Sequence, residues 1–511
     1  MKKSKSLFMV VIFLLVGGLF ADTNMLHIAT SVATTSGMEP PVGNYAVPEA
    51  ITCTAPASVD TNSIRYTCTG YTLETYADGV WSLVDTVIGS TSFNCPADGT
   101  PRRITWQWEA THYKVTIQLV PADSGSVTVD PTLPKDGYCV KGTKLTMTAT
   151  PNEGREHIGW ATASAGYYTS QFSTTVNAAQ TIKVGMAGKW TYSGTTMANG
   201  VWSLKVKDNE VTSYYSGFGK LDFSNVYSDT GIKVTKIYNQ TFQNNKMIKF
   251  FVAPDVTSLG SRAFQSSGLQ DARFTDSLKS LGGTCFSGVT SLTNFEPKVS
   301  NNLTSIGGEA FKNCKNMRGD LVYSNLVSSS TYCFYGTGIT SANCPKLSPS
   351  ISFFAACESL TNVVILGTTV GKTLFPGCTK LQNVHILSPT GASSFPQWVF
   401  RDTPTSLKIW YYGRKAPSSI ASDAFFPSKG APYIRIFIKN GYDIEQWQVL
   451  SERVQNPGAT GIPALTTADK NISNYPGRTR TIGIGHKGRV NSKPVWFVKW
   501  PVGLFSFLTL H

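Results

Sequence analysis

Three phrases decide the reading of this chain: IGGEAFKNCKNM at 306–317, FFAACESL at 353–360 and LFPGCTKLQNVHIL at 374–387. Each carries a phenylalanine, then a cysteine, then an aliphatic residue at matching spacing. Outward from them the aromatic recurs as Phe242, Phe264, Phe286, Phe311, Phe334, Phe354, Phe375, Phe400 and Phe425, at intervals of 22, 22, 25, 23, 20, 21, 25 and 25 residues. Leu259-Gly260, Leu281-Gly282, Ile306-Gly307 and Val370-Gly371 each precede a phenylalanine in the pattern aliphatic-Gly-x-x-x-Phe. Met247, Leu269, Leu292, Met317, Ile339, Leu360, Leu381 and Leu407 follow at five to seven residues. A unit of this length holds one short strand, a turn and a return segment. It cannot bury an apolar face alone, so equivalent residues must stack from rung to rung. Glycine after the aliphatic residue relieves crowding at the turn. NVVIL at 362–366 and NVHIL at 383–387 are expected to pair edge to edge in one long curved parallel sheet.

These phrases are similar to the BspA-type leucine-rich repeat of bacterial surface antigens. The resemblance covers about 235 to 445 and implies an extracellular adhesion or recognition role. The stretch 311–354 lacks the clean Gly-x-x-x-Phe pattern, so one or two rungs there are expected to be distorted.

Upstream the sequence reads as small β modules. In residues 46–109, ITCTAPASV, IRYTCTGYTLE and RRITWQWE are separated by the turn signal ADG at 77–79 and again at 97–99. Ile104, Trp106 and Trp108 alternate with polar residues, as in a half-buried strand. Residues 110–188 alternate at Tyr113, Val115 and Ile117, at Leu145, Met147 and Ala149, and at Ile182, Val184 and Met186. Their order, YKVTI, GSVTV, KGTKLTMTATPNEGREHIGW and TTVNAAQTIKV, resembles the divergent internalin B-repeat. That resemblance implies a β-grasp-like spacer or stalk. REHIGW departs from it where an aromatic residue often precedes Gly-Trp. Residues 189–234, with Trp190, Tyr192, Val201, Trp202, Leu204 and Val206, suggest hairpins that cap the apolar end of the solenoid.

The first residues carry Lys2, Lys3 and Lys5, then an apolar run from Leu7 to Phe20 closed by Ala21. This is the pattern of a secretory signal peptide over 1–21, with cleavage between Ala21 and Asp22. The run is shorter than the roughly 20 residues of a spanning helix, so no transmembrane span is expected after its removal. Residues 22–45 read as an exposed leader.

The formal net charge is +14. Removing the three lysines leaves +11, of which Lys470, Arg478, Arg480, Lys487, Arg489, Lys493 and Lys499 supply +7 in a tail without acids. The charge therefore belongs to the segment 451–511, expected to be disordered, rather than to a basic stripe on a folded domain. No nucleic-acid partner is expected. The functional reading of the tail is retention on an anionic envelope.

Ten cysteines in an exported chain raise the question of disulfides. Cys53 and Cys68 flank a strand-turn-strand pattern and form the candidate pair, with buried free thiols as the alternative. Cys314, Cys357 and Cys378 stand three residues after their phenylalanines; Cys357 and Cys378 hold the same position in adjacent rungs, close enough for a bridge, and the preferred reading is small buried thiols filling the core. No Cys-x-x-Cys, nucleophile elbow, zincin helix or phosphate loop occurs, and the six histidines lack metal-ligand spacing. No metal, cofactor or catalytic residue is therefore assigned. His385 could face the open sheet surface. Trp398, Trp410, Tyr411 and Tyr412 are taken as exposed aromatics that could stack on sugars, or else cap the repeat core.

The expected architecture is mainly β: two small N-terminal β modules followed by a leucine-rich-repeat solenoid, residues 235–450, with a parallel sheet. The expected role is a secreted or cell-surface binding protein for an extracellular protein or glycan, not an enzyme. The alternative is a structural envelope component that self-associates.

Overall fold

The computed structural model describes residues 25–31, 38–47, 49–388, most of 394–424, and the strands Tyr433–Ile438 and Arg480–Gly485. The signal segment with Ala21 and Asp22, Phe425, and most of the basic tail lie outside the described residues. Among the described residues the structure is mainly β, with one short helix, Val226–Thr230. No helix among them is long and apolar enough to cross a membrane. Contacts divide the chain into two compact units. One comprises residues up to 118 with 126–150 and 170–183; the other comprises 119–125, 151–169 and 184 onward.

The first unit is organised by the long strand Arg102–Val120. Ile64–Ala77 pairs antiparallel along it, from Ile64 opposite Tyr113 to Thr75 opposite Arg102. Met25–Thr30 lies parallel to its start, and Tyr138–Val140 antiparallel just past its middle, at His112–Lys114. Alternation along the strand buries Ile104 and Trp106 completely and leaves Trp108 half-buried. Around them Tyr71 meets Phe93 and Trp106 edge-on, each at 5.3 Å between ring centres, a favoured aromatic geometry. A second ladder sets Met147 opposite Phe172, both buried.

Cys53 and Cys68 are buried in this core as free thiols. The strand beside Cys53 is Ser92–Cys95, which places Phe93 opposite Cys53 and Cys95 opposite Ile51. Burial, with Cys95 nearby, pushes the Cys53 thiol up to about 11.

The second unit carries the rungs. It begins with antiparallel strands Thr191–Ser193, Thr196–Ala198, Ser203–Lys207 and Glu210–Ser216. The last of these hands its edge to Lys236–Ile237 in parallel. Two-residue parallel strands follow at Ser258–Leu259, Ser280–Leu281, Ser305–Ile306 and Ser328–Ser329. Within this unit the turn from the upstream module packs closely on the first rungs: a Cβ at Gly166 would sit 2.0 Å from the Met247 carbonyl oxygen.

Phenylalanine stacking is continuous through the rungs. Phe242, Phe264, Phe286, Phe311, Phe334, Phe354, Phe375 and Phe400 are 0–1% exposed. Neighbouring rings lie 5.1–5.9 Å apart with planes within 16°. Tyr214 of the leading hairpins stacks on Phe242 at 5.5 Å and starts the column. Each phenylalanine N–H also donates to the next rung, for example Phe264 to Cys285 O at 2.7 Å and Phe311 to Cys333 O at 2.8 Å. The column runs unbroken through Phe334 and Phe354, so the irregular sequence at 311–354 does not interrupt it.

The residue three places after each phenylalanine points inward and is small: Asn245, Ser267, Val289, Cys314, Thr337, Cys357, Cys378 and Thr403 are 0–4% exposed. The cysteines do more than fill volume. Cys314, Cys357 and Cys378 place their thiols 3.1, 3.0 and 3.0 Å from the carbonyl oxygens of Phe286, Phe334 and Phe354, one rung back.

The glycines after the aliphatic residues sit where rungs touch through backbone. A Cβ at Gly282 would lie 2.5 Å from the Gly260 carbonyl carbon, and one at Gly307 2.4 Å from the Gly283 nitrogen.

Three expectations need correction. The long parallel ladder is two sheets, not one. Beside the two-residue strands, one sheet runs Gly219–Asp222, Ile248–Ala253, Asp271–Phe274 and Asn294–Glu296, and a second starts at Val299–Ser300, which pairs with Asp320–Tyr323. Pro297 stands between them and has no N–H to give a ladder. Met247 is only partly buried, and its neighbour Ile248 takes the core position. Within the segment 451–511, expected to be disordered, Arg480–Gly485 forms a strand antiparallel to Tyr433–Ile438; the alternating apolar pattern of RTIGIG suits a strand.

Truncating a ring inside the column should be costly. Phe311→Ala is expected to lower unfolding free energy by about 3–5 kcal/mol. Gly307→Ala should destabilise through a backbone clash that no rotamer relieves. Urea unfolding monitored by circular dichroism checks both; a midpoint unchanged from wild type would show that the stack does not hold the rungs.

Candidate binding face on the parallel sheet

Five strands of the second solenoid sheet lie parallel and in register: Asp320–Tyr323, Ser341–Cys344, Asn362–Ile365, Asn383–Ile386 and Lys408–Tyr411. Their side chains alternate between faces. Leu321, Ala342, Val363, Val384 and Ile409 point into the core, 0–2% exposed. The residues between them point outward, and the register collects them into two columns. One runs Asp320, Ser341, Asn362, Asn383 and Lys408. The other runs Val322, Asn343, Val364, His385 and Trp410.

The last strands make this face aromatic. His385 is half-buried and lies parallel to two rings, Trp410 at 5.9 Å and 12° and Tyr412 at 5.9 Å and 19°. Its Nδ1 is 2.9 Å from the Tyr412 hydroxyl. Burial holds the imidazole down to about 4 and the phenol up to about 12. Both groups are therefore neutral near pH 7, and the Tyr412 O–H can donate to Nδ1 with the ring hydrogen on Nε2. Beside the rings a chain of polar bonds runs across strands. Trp410 Nε1 donates to Asn383 Oδ1 at 3.2 Å, and Asn383 Nδ2 donates to Asn362 Oδ1 at 2.8 Å.

At the other end the face is acidic and hydroxylic. Asp320 Oδ1 accepts from Thr340 and Ser341, both at 2.7 Å, and these bonds hold its carboxyl below the usual range. Between the two ends, the buried Oδ1 of Asn343 has no hydrogen-bond partner. Such an atom is costly unless something supplies a donor.

The structure brings together His385, Trp410 and Tyr412 and separates the other two aromatics named from sequence. Tyr411 is not exposed: it is 1% exposed and packs toward Phe395, because Ile409 and Tyr411 share the inward face. Trp398 is 40% exposed but sits on the turn before Phe400, with the Arg401 guanidinium 4.8 Å over its ring. Asn343, Asn362, Val364 and Asn383 were not singled out from sequence. The shared asparagine opening NVVIL and NVHIL is the signal that could have found Asn362 and Asn383. Among the described residues no group of three histidine, cysteine or acidic side chains could hold a metal ion.

Stacked parallel rungs with one face buried and one open define a solenoid repeat protein. Family comparison makes this specific. Residues 235–353, 290–407 and 348–436 match the BspA type leucine rich repeat region, in six copies, and residues 115–194 match the divergent InlB B-repeat domain. The chain thus carries a BspA-type leucine-rich-repeat region preceded by a divergent InlB B-repeat domain.

Among solved structures, the chain is similar to a leucine rich cell surface protein from Faecalibacterium prausnitzii A2-165, at 16% identity over 51% of this chain and 98% of that one, with a TM-score of 0.22. It is similar to the pneumococcal vaccine antigen PcpA at 14% identity, over 60% and 95% of the two chains, with a TM-score of 0.22. A leucine rich repeat protein of T. pallidum matches at 14% identity over 42% and 81%, also at 0.22. No curated protein matches the chain.

The neutral imidazole ties this face to pH. Burial holds the His385 imidazole down to about 4 in the folded chain, against an ordinary histidine value of 6.5. Above pH 6.5 it is neutral in both states and adds no pH dependence. As pH falls from 6.5 toward 4, the unfolded chain takes up a proton that the folded chain refuses, so stability drops, by on the order of 3 kcal/mol in total. His385→Gln should remove that share of the acid sensitivity, leaving the shares of His27 and His157, whose values are also lowered by burial. Imidazole proton NMR should show one ring titrating near pH 4; titration of the His385 ring near 6.5 would overturn the assignment.

Proposed function

We propose that this chain is an exported binding protein that acts at the cell surface or as a secreted molecule and presents the outward face of the parallel sheet to an extracellular protein or glycan. The observation that carries the reading is the cross-strand array of Trp410, His385 and Tyr412 beside the Trp410–Asn383–Asn362 chain of hydrogen bonds. Flat, uncharged rings stack on the apolar face of a sugar or on an aromatic side chain. The amides alongside offer donors and acceptors that fix orientation. The BspA-type repeat region supports the same class of role. The reading is of a binder and not of an enzyme, and export rests on the N-terminal pattern ending at Ala21 and Asp22. The alternative is a structural envelope component that assembles with its own kind.

The test uses the whole mature chain on arrays of glycans and extracellular-matrix proteins. Wild type should bind a restricted set of them. Trp410→Ala should weaken that binding by about tenfold, the loss of one good aromatic contact, without lowering the thermal midpoint enough to unfold the chain. Binding that is equal in both forms, or absent across both arrays, would overturn the assignment of this face.

A further inference from the structure

A cleft of about 290 Å³ opens within the second unit, where the turn Asn152–Arg155 meets the leading hairpins, the strand Gly219–Asp222 and the short helix Val226–Thr230. None of its lining residues belongs to the proposed ligand face. Ligand sites begin at roughly 300 Å³, so this one suits a single small ring rather than a chain. The turn is anchored. Arg155 N–H donates to Asn152 O at 3.1 Å, Asn152 Nδ2 donates to Asp123 O at 2.9 Å, and Gly154 takes the left-handed backbone at the bend.

Six charged side chains line the cleft and sort into two groups. Lys220, Glu156 and Asp222 satisfy one another. The ammonium lies 2.8 Å from Glu156 Oε1 and 2.9 Å from Asp222 Oδ2, and Asp222 Oδ1 accepts from Ser224 N–H at 2.8 Å. Arg155, Lys189 and Asp229 form no ion pair among the described residues. The Arg155 guanidinium uses one N–H, from Nη1 to Met186 O at 3.1 Å. Asp229 holds the Trp190 N–H on Oδ2 at 3.0 Å, which leaves Oδ1 open. Asn199 lines the same cleft and is 8% exposed. Its Oδ1 accepts from the Val201 and Trp202 N–H groups at 3.1 and 2.8 Å, and its Nδ2 has no partner among the described residues.

Two glycines keep the guanidinium bare. A Cβ at Gly188 would lie 3.5 Å from Arg155 Nη1, and one at Gly200 would lie 3.7 Å from it. A longer side chain at either place would cover the group. Gly200 has a φ of +90°, which itself calls for glycine. Gly188 is not left-handed, so its backbone does not explain it; what its missing side chain provides is the opening.

A guanidinium without an acid beside it is matched best by a planar carboxylate, through two parallel N–H bonds. The open Asp229 Oδ1 accepts and Asn199 Nδ2 donates, and a hydroxyl does both in return. Ring stacking, the other way to anchor a sugar, is denied here. Trp190, the one aromatic residue lining the cleft, is 5% exposed, with its indole N–H on Asp222 O at 3.0 Å and its ring edge-on to Phe223. A free amino acid also carries a carboxylate, but its ammonium has three donors to place, and Asp229 is the only carboxylate in the cleft without an ion-pair partner. We infer that this cleft binds the acidic ring of a carboxylated sugar, with the carboxylate on Arg155 and ring hydroxyls on Asp229 and Asn199. The site is separate from the sheet face and does not depend on that reading.

Ligand-observed NMR titration of the full mature chain is the test. The probes are glucuronate, galacturonate and N-acetylneuraminate, the neutral sugars glucose and galactose, and alanine as a zwitterion. At least one acid should bind saturably, with both neutral sugars weaker by about tenfold or more, the loss of a charge-assisted contact. Arg155→Gln should weaken the acid to a similar extent. Gly188→Val should abolish binding by covering the guanidinium. Asp229→Asn, which keeps an oxygen for the Trp190 N–H, should weaken it less. Circular dichroism verifies folding; the new Cβ at Gly188 meets nothing closer than 3.5 Å, so that variant carries the test should Arg155→Gln not fold. Absence of binding by all three acids, equal binding of the neutral sugars, alanine binding as tightly as the acid, or acid binding unchanged by Arg155→Gln and Gly188→Val would each overturn the proposal.

Discussion

The rungs depend on a backbone constraint around each core phenylalanine. The residue two places before the ring has positive φ in every described rung: Gln240, Arg262, Thr284, Glu309, Tyr332, Ser352, Thr373 and Trp398, between +52° and +61°. The residue two places after it does too, at Asn244, Ser266, Gly288, Asn313, Gly336, Ala356, Gly377 and Asp402. Left-handed backbone costs a residue with a Cβ roughly 1–2 kcal/mol. That paired cost recurs along the column because it aims the phenylalanine N–H at the next rung and its ring at the previous one. The hydrogen bond and the stacked ring offset the strain only when a neighbour is present, which is why a single rung has no stability of its own.

The same bend explains the position three residues after the ring. It turns inward, next to carbonyls that no helix or regular strand satisfies. Its side chain must be small and preferably able to hydrogen-bond. Asparagine accepts from the two following N–H groups, as Asn245 does from Met247 and Ile248. Threonine donates to its own phenylalanine carbonyl, at 3.0 Å for Thr337 and 2.8 Å for Thr403. Cysteine reaches the phenylalanine carbonyl one rung back. Three chemistries thus solve one local problem, and the cysteines need no redox role to account for their place. Val289, which cannot bond, shows that packing alone also suffices at one rung.

The spacing of phenylalanine and the glycines after aliphatic residues made the solenoid legible, because both report on close contact between rungs. The left-handed positions were not legible. Arg262, Tyr332 and Trp398 have no preference for that conformation, and only the repeat imposes it. The break between the two parallel sheets was hidden by the regular phenylalanine period, although Pro297 was a visible reason for it. Within the candidate face the difficulty was parity. In KIWYY at 408–412, aligning Lys408 with Asn383 and Trp410 with His385 already sends Tyr411 inward. Reading the aromatics as one exposed group ignored the strand alternation that separates them.

Parallel register also determines what kind of surface this can be. In an antiparallel sheet a residue meets a partner from a different place in its own strand; here each outward residue meets the equivalent residue of the neighbouring rung. Substitution at one outward position therefore changes one step of a column and leaves the buried column beneath it untouched. Changes at Val364, His385 and Trp410 alter the face without altering Val363, Val384 and Ile409. The chemical gradient along these five strands, from the Asp320 carboxylate with its hydroxyl donors to the neutral rings at His385, follows from that separation. Core and face are encoded by alternate residues of the same short strands, so the requirements of stacking leave the chemistry of the face free to differ at every rung.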